Sequence, residues 1–84
     1  MKNKIVIYAL STCGWCHKTL QWMENNKLEY EKIYVDQLVG VERENIMKEL
    51  EKHNPRRSFP TVVLNDGDRV IIGYKPEEFE TELL

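Results

Sequence analysis

The chain has 84 residues, 42% of them hydrophobic and 31% charged, which fits one globular domain and no more, because a chain this short buries only a little over ~60% of its unfolded surface. A formal charge of -2, without a run of Lys and Arg, argues against nucleic acid as a partner. No apolar stretch approaches the roughly 20 residues of a membrane span and no signal-peptide pattern precedes the first strand, so a cytoplasmic protein is expected, with nothing demanding more than a monomer.

Residues Lys4 to Ala9 read as a buried strand, because Ile5, Val6, Ile7 and Tyr8 form a short β-branched and aromatic block. Leu10 to Thr12 are the loop that leaves it. From Cys13 to about Asn25 the spacing turns helical, with Cys16, Leu20 and Met23 on one face and Ser11 and Thr12 as the available N-cap side chains. A second strand is expected over Glu29 to Val35, where Tyr30, Ile33, Tyr34 and Val35 supply β propensity and Asp36 begins the exit. Strand, helix and strand in so short a span suggest a parallel βαβ unit.

The next helix is expected from about Val41 to His53, with Ile46, Met47 and Leu50 in one stripe and Asn54-Pro55 as its stop. Thr61 to Leu64 and Arg69 to Ile72 are short apolar strands joined by Asn65-Asp66-Gly67-Asp68, whose Asp-Gly step predicts an antiparallel hairpin. Pro76 suits the first turn of a last helix, Glu77 and Glu78 complement its positive end, and Phe79 with Leu83 gives it a face to bury. The order is βαβαββα, a single α/β domain over residues 1–84.

Only two cysteines are present, Cys13 and Cys16, whereas a small secreted scaffold spreads more of them to staple distant segments. In disulfide exchange the attacking species is a thiolate, and a helix N-terminus, with its unpaired N–H groups and positive dipole end, favours one. Cys13 lies where the first loop becomes a helix and is the candidate nucleophile. Cys16 follows one turn later on the inward face and is the candidate resolving thiol. The same spacing supplies half a zinc site, which His17 and His53 would complete, and in a dimer it suits an iron-sulfur cluster. A strand, a turn and then Cys-x-x-Cys opening a helix favours the redox reading, with no bound metal or cofactor.

The sequence resembles the glutaredoxin family in Cys13-Gly14-Trp15-Cys16 after the first strand, Ser58-Phe59-Pro60-Thr61 before the third, and Gly73-Tyr74-Lys75-Pro76 before the last helix. The resemblance covers nearly the whole chain. It implies a thioredoxin fold, a four-stranded mixed sheet with helices on both faces, and Pro60 as a cis proline facing the cysteines. It also implies a groove framed by Trp15, Phe59, Pro60, Thr61, Gly73 and Tyr74, where the backbone of Phe59 pairs with an extended target segment. Leu10 stands where glutathione-binding members carry a basic residue, and the family's Gly-Gly followed by an Asp pair does not precede the last helix. The Gly-aromatic-basic-Pro segment is instead similar to that of glutaredoxin-like proteins that donate electrons to ribonucleotide reductase and are recharged by a thioredoxin-type reductase. The implied partners are disulfide-containing proteins, ribonucleotide reductase among them, and an external reductant. That reductant is a thioredoxin-type reductase, an iron-sulfur reductase or glutathione.

Other residues carry plainer readings beside the functional ones. Trp15 between the cysteines reads as an exposed partner contact, with packing at the domain's edge as the alternative. His17 and Lys18 read as solvated helix residues before thiol-tuning groups. Arg56 and Arg57 read equally as steering charge and as a solvated loop. Tyr8, Trp22, Met23, Ile46, Met47 and Leu50 are assigned to the core.

Overall fold

The computed structural model describes residues 3–84. Its elements run β1 (Ile5–Ala9), α1 (Gly14–Asn25), β2 (Glu31–Tyr34), α2 (Gly40–His53), β3 (Thr61–Leu64), β4 (Arg69–Ile72) and α3 (Pro76–Leu83), with short 3-10 turns at Val35–Gln37 and Asn65–Gly67. The strands form one mixed sheet in the order β2-β1-β3-β4. β1 runs parallel to β2, with Tyr8 opposite Ile33, and antiparallel to β3, with Ile7 opposite Val62. β3 and β4 are antiparallel, with Val62 opposite Ile71. This is the thioredoxin fold expected from the sequence.

Alternation along β1 builds two cores. Ile5, Ile7 and Ala9 face one side, where they meet Cys16, Leu20 and Met23 of α1 and Phe79 of α3. Tyr8 faces the other, with Val63, Val35 and Leu50 of α2, against which Ile46 and Met47 pack half-buried. The helices therefore cover both faces of the sheet. Trp22 packs on Phe79 with ring centroids 5.3 Å apart. Among the described residues no helix is long and apolar enough to cross a membrane.

Several element ends differ from the sequence reading. The N-cap of α1 is Cys13 itself, not Ser11 or Thr12, because the Ser11 side chain is taken by Asp36, 25 residues along the chain. β2 is shorter than expected at both ends. Val35 turns into a 3-10 helix where its side chain is buried, and α2 begins at Gly40, whose φ is +62°. The hairpin turn forms with Asn65, Asp66 and Gly67 all at positive φ, a conformation that Asn, Asp and Gly tolerate better than other residues.

Candidate functional site

Because β1 and β3 are antiparallel, with Tyr8 opposite Thr61, the chain leaving β1 and the chain entering β3 lie at the same end of the sheet. The end of β4 falls there too, since Thr61 lies opposite Ile72. The sequence motifs around Cys13, Pro60 and Tyr74 therefore converge.

Cys13 has extended backbone angles and opens α1. Its carbonyl accepts from His17 N–H at 3.1 Å, and its Sγ accepts from Cys16 N–H at 3.2 Å. The sulfur thus takes the place that a serine or threonine oxygen fills at most helix starts, satisfying an otherwise unpaired amide. Cys13 is half-buried, whereas Cys16 is 0% exposed in the core beneath it, and both are free thiols. Burial, followed by a hydrogen bond with Cys13, pushes the Cys16 thiol up to about 12, so Cys16 is a neutral thiol near neutral pH. Thr19, also buried, donates its hydroxyl to Trp15 O at 2.9 Å.

The loop before Cys13 is held from two sides. Ser11 N–H donates to Asp36 Oδ1 at 2.9 Å, and Ser11 Oγ donates to Asp36 Oδ2. His17 Nε2 lies 2.7 Å from Ser11 O. These bonds from Ser11 hold the Asp36 carboxyl below its ordinary value.

Beside the cysteines, a cleft of 270 Å³ is lined by Trp15, Phe59, Pro60, Gly73, Tyr74 and Lys75. The Phe59-Pro60 peptide bond is cis. Pro60 O accepts from Gly73 N–H at 2.9 Å, which ties the two walls together. Gly73 has a φ of +93°, which glycine adopts without steric cost. Trp15, 59% exposed, stacks with Tyr74 at 6.0 Å, and Lys18 Nζ sits 4.9 Å from the Trp15 ring centroid. Tyr74 in turn meets Phe79 edge-on at 6.1 Å. A larger hollow of 520 Å³ lies between β2 and α2, lined by residues such as Glu31, Tyr34 and Glu42 and by neither cysteine.

The structure brings five of the six expected groove residues onto one cleft and leaves one out. Thr61 is 0% exposed; its hydroxyl donates to Ser58 O at 2.8 Å and accepts from Asn54 Nδ2 at 2.9 Å. Its side chain braces the segment ahead of Pro60 and does not line the cleft. Three residues that shape this end of the molecule carry no site assignment from the sequence. Lys75 lines the cleft and was signalled only by its place in Gly73-Tyr74-Lys75-Pro76. Asp36 holds the cysteine loop, and its one signal was its position just past the second strand. Buried Asn54, read only as a helix stop, bonds to Ser58 and Thr61. Arg57 pairs with Glu51 at 3.3 Å. His53 packs against the turn at Gly67, and among the described residues no three His, Cys, Asp or Glu side chains cluster as a metal site.

A family model described as glutaredoxin matches residues 5–70. Among solved structures, methanoredoxin of Methanosarcina acetivorans is 40% identical, covers 95% of this chain and 83% of its own, and superposes with a TM-score of 0.90. A glutaredoxin from Methanosarcina mazei Go1 is 38% identical over 94% of this chain and 76% of its own, with a TM-score of 0.86. The glutaredoxin-like NrdH-redoxin from Escherichia coli, described as having a thioredoxin-like activity profile, is 28% identical over 93% of this chain and 92% of its own, with a TM-score of 0.73. No curated protein sequence matches the chain.

Proposed function

The chain belongs to the glutaredoxin family, and on that premise we propose that it is a dithiol-disulfide oxidoreductase that reduces protein disulfides with Cys13 as nucleophile and Cys16 as resolving thiol. The observation that carries this reading is the division of labour between the two sulfurs. Cys13 Sγ sits at the helix start with the Cys16 amide directed at it, and a hydrogen bond donated to sulfur strengthens when the sulfur is anionic. Cys16 is buried and protonated one turn below, withheld from outside disulfides until Cys13 is engaged.

In the first step the Cys13 thiolate attacks a target disulfide, forming a Cys13–target S–S bond and expelling the other target sulfur as a thiolate. Cys16 then attacks Cys13 Sγ, its proton passing to the departing target sulfur. The Cys13–target bond breaks, the second target thiol leaves, and the protein holds the Cys13–Cys16 disulfide. Two electrons have passed to the target, and an outside reductant restores them together with the proton of Cys16.

The cleft beside the cysteines supports an extended target segment as the substrate. Trp15 and Tyr74 offer a stacked aromatic wall, and Phe59 lies ahead of the first paired residue of β3, where a segment can add to the backbone. The electrons come from a thioredoxin-type reductase in preference to glutathione or an iron-sulfur reductase. Leu10, half-buried against the α2-side core, carries no charge for a glutathione carboxylate, and the likeness to NrdH-redoxin points the same way. The target class includes ribonucleotide reductase, and the setting is a reducing cytoplasm.

The test uses two variants and three reductants. Cys13→Ser abolishes disulfide reduction, and Cys16→Ser accumulates a mixed disulfide on Cys13 visible by mass spectrometry. Oxidised wild-type protein is recharged by the thioredoxin-type reductase faster than by glutathione or an iron-sulfur reductase. Full turnover in Cys13→Ser refutes the assignment.

A further inference from the structure

Ser11 uses all three of its polar groups on two side chains that the thiol chemistry itself does not require. Its amide and hydroxyl donate to the two oxygens of Asp36, and its carbonyl meets His17 Nε2 at 2.7 Å. A carbonyl only accepts, so Nε2 carries the proton of this bond. Asp36 is itself held: it lies in the 3-10 turn after β2, between Val35, which is buried, and Leu38, whose amide donates to Val35 O at 3.2 Å. The loop that delivers Cys13 is therefore fastened to the end of β2 on one side and to the second turn of α1 on the other.

Exposed polar contacts of this kind add little to global stability, yet they fix the chain two residues before a sulfur that changes partners twice per cycle. From this geometry we infer that Asp36 is a positioning residue for the closing step, acting through Ser11 and seconded by His17. It holds the loop so that Cys13 Sγ stays in line with Cys16 while the bond to the target breaks. The depressed titration of the Asp36 carboxyl agrees with a carboxylate engaged on both oxygens by Ser11. The inference rests on the dithiol assignment above.

In the closing step as it is tested, a Cys13–thionitrobenzoate disulfide is attacked by Cys16. The Cys13–Cys16 bond forms, and one coloured thionitrobenzoate anion leaves for each closure. Reduced protein mixed with a Cys-reactive aromatic disulfide releases a first equivalent as the mixed disulfide forms and a second as it closes, so the second phase isolates the step in question. Wild type releases both. Asp36→Ala slows the second phase roughly tenfold while the first changes much less, since small misplacements of reacting atoms carry rate costs of that order. Ser11→Ala, which deletes one of the two bonds and leaves the amide contact, falls between. Asp36→Asn, which keeps an acceptor for the amide and a polar partner for the hydroxyl, recovers most of the wild-type rate. Thermal unfolding of the same variants stays within a few degrees of wild type. An Asp36→Ala protein that closes at the wild-type rate overturns the positioning role alone, as does a loss of rate matched by loss of fold in Asp36→Ala and Ser11→Ala alike. A wild-type protein that never releases the second equivalent overturns both this inference and the dithiol assignment.

Discussion

Burial of Cys16 ties the stability of the reduced protein to pH. Its thiol is carried from an ordinary value of 9.0 up to about 12, first by burial and then by the hydrogen bond with Cys13. A folded-state value above the unfolded one means that folding favours the protonated thiol. The associated stability is fully present below about pH 9 and is lost as pH rises toward about 12. At about 1.4 kcal/mol per pH unit, the whole interval is worth on the order of 4 kcal/mol. Urea unfolding of the reduced protein under a phosphine reductant, taken at steps from about pH 8 to about pH 10, samples the first third of that loss. Wild type loses on the order of 1 kcal/mol more over this range than Cys16→Ala, which lacks the buried thiol. Comparing slopes removes the constant cost of the smaller side chain. Parallel curves for the two proteins would mean that Cys16 ionises as readily in the fold as out of it, and that its burial is not linked to stability.

Other consequences follow from residues with clear partners. Phe79→Ala empties a fully buried site that Trp22 and Tyr74 pack against and costs about 3–5 kcal/mol in urea unfolding, with Tyr74 losing its support and target reduction falling as well. Asn54→Ala removes the buried amide that donates to Ser58 O, Ser58 Oγ and Thr61 Oγ1 and accepts from Arg56 N–H. It costs roughly 1–3 kcal/mol and raises hydrogen exchange in the segment leading to Pro60. Trp15→Ala deletes the exposed wall of the cleft and raises KM for a protein disulfide about tenfold, as for loss of an aromatic interface anchor. Its kcat is expected to stay within about twofold, because Trp15 lines the cleft beside the cysteines and carries no reacting atom.

The parts of the fold legible in the sequence are those set by local pattern. The apolar block of β1, the stripe Cys16, Leu20 and Met23, the Asp-Gly hairpin and Pro76 at the start of α3 all depend on near neighbours in the chain, and each stands where the pattern put it. What the sequence hid depends on partners far along the chain. Ser11 looked like an N-cap because its hydroxyl is of the right kind; Asp36 takes that hydroxyl, and Cys13 sulfur fills the cap. Val35 has strand propensity, but the 3-10 turn buries it more fully than an edge strand would. The clustering at the cleft follows from antiparallel pairing of β1, β3 and β4, which aligns three loops at one end of the sheet. Thr61 shows the limit of reading a site from a motif: one residue past Pro60, the side chain points inward to Asn54.

Competitive alkylation reads the asymmetry between the two sulfurs at the atoms themselves. Reduced wild-type protein is exposed briefly to limiting iodoacetamide near neutral pH, and the modified peptide is identified by mass spectrometry. Carboxamidomethyl label is expected on Cys13, with Cys16 almost untouched until the protein is unfolded. Equal labelling of the two, or Cys16 labelled first, overturns the assignment of Cys13 as the nucleophile.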